Sequence, residues 1–275
     1  MRILVHLSDL HFGRVDEALL GPLRDCIEAV APHLVVVSGD LTQRAHKEQF
    51  AQARAFLDTL PEPQLVVPGN HDVPMQPFKR FINPLKHYKR HITGDLEPFY
   101  ADEEIAVAGV NTARSFTIKD GRINQEQVAL LTQRFNDLDA HVTRIVVTHH
   151  PFDLPEHKDK DDLVRRASMA MRAFADCGAD ILLSGHMHLS HAGSTAARYA
   201  LGGYAALTIQ AGTATSTRGR GEANSFNTIY IDGDEVRLQG HAWQPDARVF
   251  RVVSHTTFVR EEEGWREVAA AGAVA

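Results

Sequence analysis

Five short apolar runs in the chain each lead into polar residues that are able to bind a metal ion. Runs of this length and composition predict buried strands. An open α/β sheet holds its functional residues in the turns beyond the carboxyl ends of its strands. The five turns carry Asp9 and His11, then Asp40, then residues 70–72, then His149 and His150, and finally His186 and His188. We therefore expect these residues to meet in one site.

The first 190 residues alternate between predicted strands and helices. Four helices are predicted: one capped by Asp16, one at about 45–60, one that begins at Asn124, and one at 163–177. The strand at 34–37 is almost uniformly apolar, which is typical of a mostly parallel sheet covered on both faces. Strands at 205–210, 227–231 and 235–240 follow without helices between them, and they predict an antiparallel or mixed second sheet packed on the first.

We predict one domain over residues 1–265. Within it, residues 200–265 are expected to supply the strands of the second sheet, and residues 266–275 are expected to form a frayed tail of mostly small side chains. Residues 73–100 are rich in proline, basic and aromatic residues, and an irregular segment of this length favours a lid or rim over the site. A solvated surface excursion is the alternative for this segment.

Charge and composition exclude several classes of protein. A net charge of −6 argues against general affinity for long nucleic acid, because that affinity depends on a basic surface. With only two cysteines, a disulfide scaffold is excluded. No stretch approaches the roughly 20 apolar residues of a membrane span, and the N-terminus has no signal-peptide pattern, so a cytoplasmic location is expected. A homodimer with contacts through the C-terminal strands remains an open option.

The residue types in the five turns match one kind of metal site. Three offer oxygen ligands and four offer imidazoles: Asp9, Asp40, Asn70, His11, His149, His186 and His188. This mixed set suits two borderline divalent ions such as Mn, Fe, Zn or Co better than Ca or Mg, which prefer oxygen alone. Two ions about 3.5–4 Å apart can activate water and also stabilise charge on a phosphorus centre. A small phosphodiester is therefore the expected substrate class.

The five fragments together resemble the motifs of the calcineurin-like metallophosphoesterase family, in the same order. They are Asp9-Leu-His11, Gly39-Asp40, Gly69-Asn-His-Asp72, His149-His150-Pro151 and Gly185-His-Met-His188. Within that family, the residues around the first three fragments look most like those of bacterial class III 3′,5′-cyclic nucleotide phosphodiesterases. The resemblance implies an α/β fold in which two mixed sheets pack as a sandwich between helices, in four αββα layers.

The resemblance also implies a role for each residue. Asp9, His11 and His188 would hold one ion, while Asn70, His149 and His186 would hold the other, with Asp40 between them. His71 would act at the substrate phosphate, as a stabiliser of the transition state or a proton donor to the leaving oxygen. Asp72 is the second candidate catalytic residue, and it could instead serve only to orient His71 or the backbone. The implied reaction is in-line attack by a hydroxide activated at the ions, which converts a 3′,5′-cyclic nucleotide to a nucleoside 5′-monophosphate.

Four further residues near the predicted mouth are candidate contacts for substrate: Arg44, Asn111, Arg114 and His150. His150 could instead support the metal ligands from behind. Other substrates remain alternatives, because the metals would bind the phosphate and only the rim of the site would contact the remainder of the substrate. The alternatives are a broad phosphodiesterase, a nuclease, a hydrolase of nucleotide-sugar-lipid pyrophosphates, and a scaffold that keeps the fold only to bind a partner.

Overall fold

Two mixed β-sheets lie at the centre of a computed structural model that describes residues 1–115, 119–155, 162–217, 221–262 and 264–268. Sheet one has the order β13-β12-β11-β10-β1-β2-β3. Its strands are β1 (Arg2–Leu7), β2 (Leu34–Ser38), β3 (Gln64–Val67), β10 (Ser225–Asp232), β11 (Glu235–Gln244), β12 (Val249–Glu261) and β13 (Gly264–Val268). β1, β2 and β3 are parallel, and the remaining pairs are antiparallel.

Sheet two has the order β4-β5-β6-β7-β9-β8. Its strands are β4 (Phe99–Ala101), β5 (Ile105–Gly109), β6 (Thr143–Val147), β7 (Ile181–Ser184), β8 (His191–Ser194) and β9 (Leu207–Gln210). The four central strands are parallel, and the two edge strands are antiparallel to their neighbours. The carboxyl ends of the parallel strands in both sheets lead into the five motif turns, apart from β5 and β9.

Helices cover the outer face of each sheet. They are α1 (Glu17–Val30), α2 (Lys47–Leu57), α3 (Pro77–Ile82), α4 (Lys86–His91), α5 (Gln125–Asn136) and α6 (Ala167–Asp176). One buried cluster joins sheet one to α1, α2 and α4, a second lies between the sheets, and a third joins sheet two to α5 and α6. Three apolar interfaces between four layers confirm the predicted αββα sandwich.

The predicted start signals of two helices are confirmed. Asp16 accepts a hydrogen bond from the backbone of Ala18 at the start of α1. Asn124 and Gln127 form a reciprocal capping box at the start of α5. The predicted start of the fourth helix was wrong by about one turn, because α6 begins at Ala167 and not at residue 163. None of the helices in the described ranges combines the length and apolar character that crossing a bilayer requires.

The sequence pattern predicted that the C-terminal strands make up the second sheet, and this prediction was wrong. β9 enters sheet two beside β7, whereas β10 pairs with the free edge of β1 and β11–β13 extend sheet one outward. β12 and β13 were missed altogether, because β12 is exposed along much of its length and lacks a clear apolar alternation. Residues 266–268, which were predicted to belong to the frayed tail, pair with β12, and residues 269–275 lie outside the described part of the chain.

Residues 73–100 are more ordered than an irregular loop. They contain the short helices α3 and α4 and the start of β4. Arg80 is buried and donates to the backbone carbonyls of Ser115, Pro74 and Arg114. Tyr88 is fully buried, and its hydroxyl donates to the carbonyl of Val66. These two anchors hold the segment at the edge of sheet one, and its role as a lid or rim stays a prediction.

Candidate metal centre

Seven predicted ligands from both sheets meet at the carboxyl ends of β1, β2, β3, β6 and β7. Six of them form two groups of three, with Asp40 between the groups. Asp9, His11, Asp40 and His149 are at most 1% exposed, and His186 and His188 are below 10%. Residues that are up to 179 positions apart in the chain therefore share one buried site.

The first group consists of Asp9, His11 and His188. Oδ1 of Asp9 lies 3.4 Å from Nε2 of His11 and 3.2 Å from Nε2 of His188. The two ring nitrogens are 3.4 Å apart. Ligand atoms about 2.1 Å from a common ion are separated by about 3.0–3.4 Å, so these three atoms fit one ion.

The second group consists of Asn70, His149 and His186. Nε2 of His149 lies 3.1 Å from Oδ1 of Asn70 and 3.3 Å from Nδ1 of His186. Nδ1 of His149 donates to the carbonyl of Ser38 at 2.8 Å, which directs Nε2 toward the other two ligand atoms. A neutral His149 in this tautomer presents a lone pair at Nε2, as a metal ligand must.

Asp40 lies between the two groups. Its Oδ2 is 3.7 Å from Nε2 of His11 and 3.4 Å from Nε2 of His149. Its Oδ1 accepts a hydrogen bond from the backbone N–H of His71 at 2.8 Å, which fixes the orientation of the carboxylate. One carboxylate oxygen therefore faces both groups, which is the position of a bridging ligand.

The carboxylate of Asp9 provides a test of whether an ion fits the first group. Ser8 Oγ and the backbone N–H of His186 both donate to Oδ2 of Asp9, at 2.6 and 3.0 Å. Oδ1 is buried and accepts no hydrogen bond from the described residues. An ionised oxygen held in this way without a donor is costly unless a cation binds it. The residues present therefore fit a metal ion.

The turns that present the ligands have unusual backbone conformations. Five of the seven predicted ligands have φ between 52° and 71°, the left-handed region that non-glycine residues rarely adopt: Asp9, His11, Asp40, His186 and His188. Each costs of order 1–3 kcal/mol, and such strain is concentrated at functional sites. The short turns thus direct Asp9 and His11 into one ligand group, and they direct His186 and His188 into different groups.

Two glycines in these turns are needed for different reasons. Gly39 has φ of 92°, and a Cβ there would also lie 2.6 Å from Nδ1 of His149. Gly69 has an ordinary φ, but a Cβ would lie 2.1 Å from Oδ1 of Asp40. Gly39 is therefore required both by its left-handed backbone and by its contact with His149, whereas Gly69 is required only because Asp40 packs closely against it.

Charges within the site shift the pKa values of its members. Burial alone would raise the pKa of Asp40 and Asp9, but the neighbouring histidines outweigh it and hold both pKa values well below the usual range. Burial lowers the pKa of His149, and the carboxylate of Asp40 more than reverses this, to about 9. Burial, with the charge of His149, lowers the pKa of His186 to about 3. The carboxylates are therefore ionised, as ligands must be.

His71 and Asp72 have different environments. His71 borders the pocket, and its Nδ1 donates to the carbonyl of Gln43 at 2.9 Å. Asp72 is buried and accepts from the backbone N–H groups of Leu41, Thr42 and Gly69. Asp72 thus ties two motif turns together. Its geometry is that of a structural carboxylate, and no described contact joins its side chain to the ring of His71.

A cavity of about 330 Å³ lies at the two ligand groups. Of the four candidate substrate contacts, only Arg44 lines this pocket. Asn111 and Arg114 line a neighbouring cavity and contact Gln127. His150 is fully buried between Thr112 Oγ1 and the carbonyl of Lys119, at 2.8 and 2.9 Å. Its geometry favours the supporting role over substrate contact, because both ring nitrogens are already bonded.

Sequence reasoning missed four residues that line the pocket: Gln43, Val73, Met75 and Lys119. Gln43 follows the second motif closely, so its position after Asp40 could have indicated it. Met75 and Lys119 carry no such signal, because they reach the pocket only through the folding of loops from different parts of the chain.

Comparison with known proteins agrees with this geometry. The family model described as calcineurin-like phosphoesterase matches residues 1–190, which include all five motifs. The chain belongs to the calcineurin-like phosphoesterase family. Solved structures show the same fold: this calcineurin-like phosphoesterase aligns with a dimetal phosphatase from Danio rerio over 94% of its own length and 99% of that chain, with a TM-score of 0.66 and 14% identity. The purple acid phosphatase PPD1 from yellow lupin aligns over 93% of this chain and 53% of that one, with a TM-score of 0.69 and 12% identity.

Two curated relatives of this calcineurin-like phosphoesterase match by sequence. The uncharacterized protein YpbG of Bacillus subtilis is 26% identical over 187 residues, which cover 66% of this chain and 59% of that protein. The glycerophosphodiester phosphodiesterase GpdQ of Enterobacter lignolyticus is 33% identical over 94 residues, which cover 30% of this chain and 34% of that protein. The matches thus span about three fifths and one third of these two relatives.

Proposed function

We propose that this chain is a dinuclear-metal-dependent phosphodiesterase that hydrolyses small phosphodiesters. The observation that carries the proposal is the placement of Asp40 Oδ2 between two groups of three ligand atoms, in which every side chain except the half-buried Asn70 is buried. Two bound ions would supply activated water and stabilise the charge that develops on the phosphate. Four imidazoles and three oxygen ligands favour Mn, Fe, Zn or Co.

The proton for the leaving oxygen is assigned to His71. Because the carbonyl of Gln43 can only accept, Nδ1 of His71 carries a hydrogen. To act as the acid, the ring must be protonated on both nitrogens, so that Nε2 gives its proton to the leaving oxygen and the ring is left neutral with its hydrogen on Nδ1. His71 borders the pocket, and its backbone N–H is held by Asp40. The ring is therefore positioned relative to the predicted metal centre, as a general acid must be.

The rim of the pocket would bind the rest of the substrate. Arg44 and Lys119 place two cations at the pocket, where they can attract an anionic substrate. A cavity of about 330 Å³ suits a ligand the size of a mononucleotide. We favour 3′,5′-cyclic nucleotides as the substrate class, because the residues around the first three motifs resemble those of bacterial class III cyclic nucleotide phosphodiesterases. A cytoplasmic location and a homodimer remain predictions.

Glycerophosphodiesters are the second candidate. The supporting observation is the 33% identity with a glycerophosphodiester phosphodiesterase, which is limited to 94 residues. A substrate panel distinguishes the two: cyclic AMP, glycerophosphoethanolamine, single-stranded DNA and a nucleotide-sugar lipid, compared by kcat/KM on manganese-loaded protein. The highest value for cyclic AMP is expected. A value for cyclic AMP below all the others would overturn the favoured substrate.

The activity itself is tested with bis(p-nitrophenyl) phosphate. His71→Ala should lower kcat by about 100-fold or more while metal content stays unchanged, because general acid catalysis contributes that much. The exposed His255→Ala is the matched control and should keep wild-type activity. If the manganese-loaded wild type does not exceed His71→Ala, the proposed catalysis is wrong.

A further inference from the structure

Residues 73–94 carry the opposite charge from the rest of the chain. This stretch contains five lysines and arginines and no aspartate or glutamate. The whole chain has a net charge of −6, so removing these five cations leaves −11 on the remainder. Lys79, Lys86, Lys89 and Arg90 are exposed, and none of the four makes an ion pair with a described residue. The cations thus form a local basic surface on an acidic protein.

The same surface exposes large apolar side chains. Met75, Phe78 and Ile82 are 52%, 77% and 67% exposed. Burying such side chains is favourable, so their exposure on a helix that is anchored to the core leaves a driving force for association. We call Met75, Phe78, Ile82 and the four exposed cations together the α3–α4 patch.

The patch is held in place from beneath. The buried Arg80 side chain bonds three backbone carbonyls, and the buried Tyr88 bonds the carbonyl of Val66. These anchors point inward, so the apolar side chains on the other face of α3 are left facing solvent. A cavity of about 290 Å³ opens beside them. Its walls include the apolar side chains of Phe50, Phe78 and Ile82, the cations Lys79 and Lys86, and the polar residues Asp72, Asn83 and His87.

Aliphatic and aromatic side chains surrounded by exposed lysines have the chemistry of a surface that lies at a bilayer interface. The apolar groups enter the boundary between headgroups and acyl chains, while the cations attract anionic headgroups. A symmetric dimer through this patch would place its cations against the same cations of the second copy. Nucleic acid would use the cations and aromatic rings but would leave Met75 and Ile82 unexplained.

We propose that the α3–α4 patch docks this protein onto an anionic phospholipid bilayer. The cavity beside α3 can receive an acyl chain, with Lys79 and Lys86 near the headgroup phosphate. Met75 belongs both to the patch and to the wall of the 330 Å³ cavity at the predicted metal centre. Docking through the patch therefore turns the mouth of that cavity toward the membrane. This orientation would give access to phosphodiesters at the bilayer surface, a consequence that rests on the proposed function, whereas docking itself does not.

The test measures co-sedimentation with phosphatidylcholine vesicles that contain or lack phosphatidylglycerol, at low and high salt and in EDTA. Wild-type protein should bind the anionic vesicles, more weakly at high salt, and EDTA should have no effect because none of the seven predicted metal ligands belongs to the α3–α4 patch. Both Phe78→Ser/Ile82→Ser and Lys86→Glu/Lys89→Glu should weaken binding at least about tenfold. Circular dichroism melting of each variant checks that the fold is retained.

Matched controls come from α6 and β12, outside the α3–α4 patch. Val252→Ser/Val253→Ser removes two exposed apolar side chains, and Arg172→Glu/Arg251→Glu reverses two exposed cations, and both should bind like the wild type. Docking is overturned if the wild type does not bind anionic vesicles, if EDTA abolishes binding, or if the controls lose as much as the patch variants. It is also overturned if Phe78→Ser/Ile82→Ser only dissociates a dimer. None of these readouts requires turnover, so failure of docking leaves the phosphodiesterase proposal intact.

Discussion

Nε2 of His149 lies 3.4 Å from Oδ2 of Asp40, and both side chains are fully buried or nearly so. The carboxylate raises the pKa of His149 to about 9 against the effect of burial, so the metal-free ring is protonated at neutral pH. The proton therefore occupies the position that a metal ion would take. Several predictions about metal binding rest on this competition and on the position of Asp40.

Metal binding near pH 7 should release about one proton from His149, because only the neutral imidazole is a ligand. The apparent metal affinity should rise with pH up to about 9. In the metal-free protein, the free energy of unfolding should fall as pH rises from the unfolded histidine value of about 6.5 to about 9, since the folded state holds the proton more tightly. Calorimetric titration in buffers of different protonation enthalpy measures the release, and an affinity that is flat from pH 6.5 to 9 would contradict it.

Asp40→Ala should remove both ions, because Oδ2 of Asp40 faces both ligand groups. We expect metal content to fall from two ions per chain to less than one, with activity more than about 100-fold lower. Plasma emission spectrometry of the purified variant measures the ions. Asp25→Ala, an exposed helix position, is the matched control. Retention of two ions by Asp40→Ala would show that Asp40 does not bridge.

Asn70→Ala and His188→Ala should each lose one ion, but from different positions. Asn70 lies 3.1 Å from His149, and His188 lies 3.2 Å from Asp9, in the two separate groups. With Co²⁺ as a spectroscopic probe, each variant should retain about half of the visible absorption, with different band positions for the two variants. Identical spectra would indicate a single site.

Asp72→Ala should destabilise the fold by roughly 3 kcal/mol, because it leaves buried N–H groups of Leu41, Thr42 and Gly69 without their acceptor. Asp72→Asn should be less severe, since one oxygen can still accept. Urea unfolding of the metal-free variants measures this directly. A variant with full stability and greatly reduced kcat would instead support the catalytic role that the sequence suggested for Asp72.

Glu97→Gln should stabilise the protein above pH 7. Burial raises the pKa of Glu97 to about 7, against a hydrogen bond from Gln127 Nε2. The folded state therefore binds more protons than the unfolded state between about pH 4.5 and 7, and stability should fall through that window. Allowing for partial solvent exposure, we expect a gain of about 1–2 kcal/mol for the variant at pH 8. Urea unfolding across pH tests this, with the exposed Glu126→Gln as control.

Local patterns were enough to predict the strands β1, β2, β3, β6 and β7 and the metal-capable turns that follow them. Apolar runs such as residues 34–37 bury on any well-covered sheet, and a short turn after such a run places Asp40 at the sheet edge. The residue types then limit the chemistry, because imidazoles and carboxylates in this mixture suit few ions. The predicted strands, turns and metal-ligand types depend only on residues that are close together in the chain, so they could be predicted from the sequence alone.

The tertiary structure decided which edges pair and which side chains face the pocket. β10 could have started a new sheet, but the free edge of β1 offered an unpaired ladder, and the following hairpins extended it. Asn111 and Arg114 follow a strand end as the ligands do, yet they line another cavity. The Arg114 side chain donates to Gln127, and Oδ1 of Asn111 accepts from the backbone of Ala113. Asp72 adjoins His71 in sequence but is buried against the turn of the second motif. Periodicity and residue type act over a few residues, whereas edge pairing and side-chain direction depend on partners distant in the chain, which only the folded structure brings together.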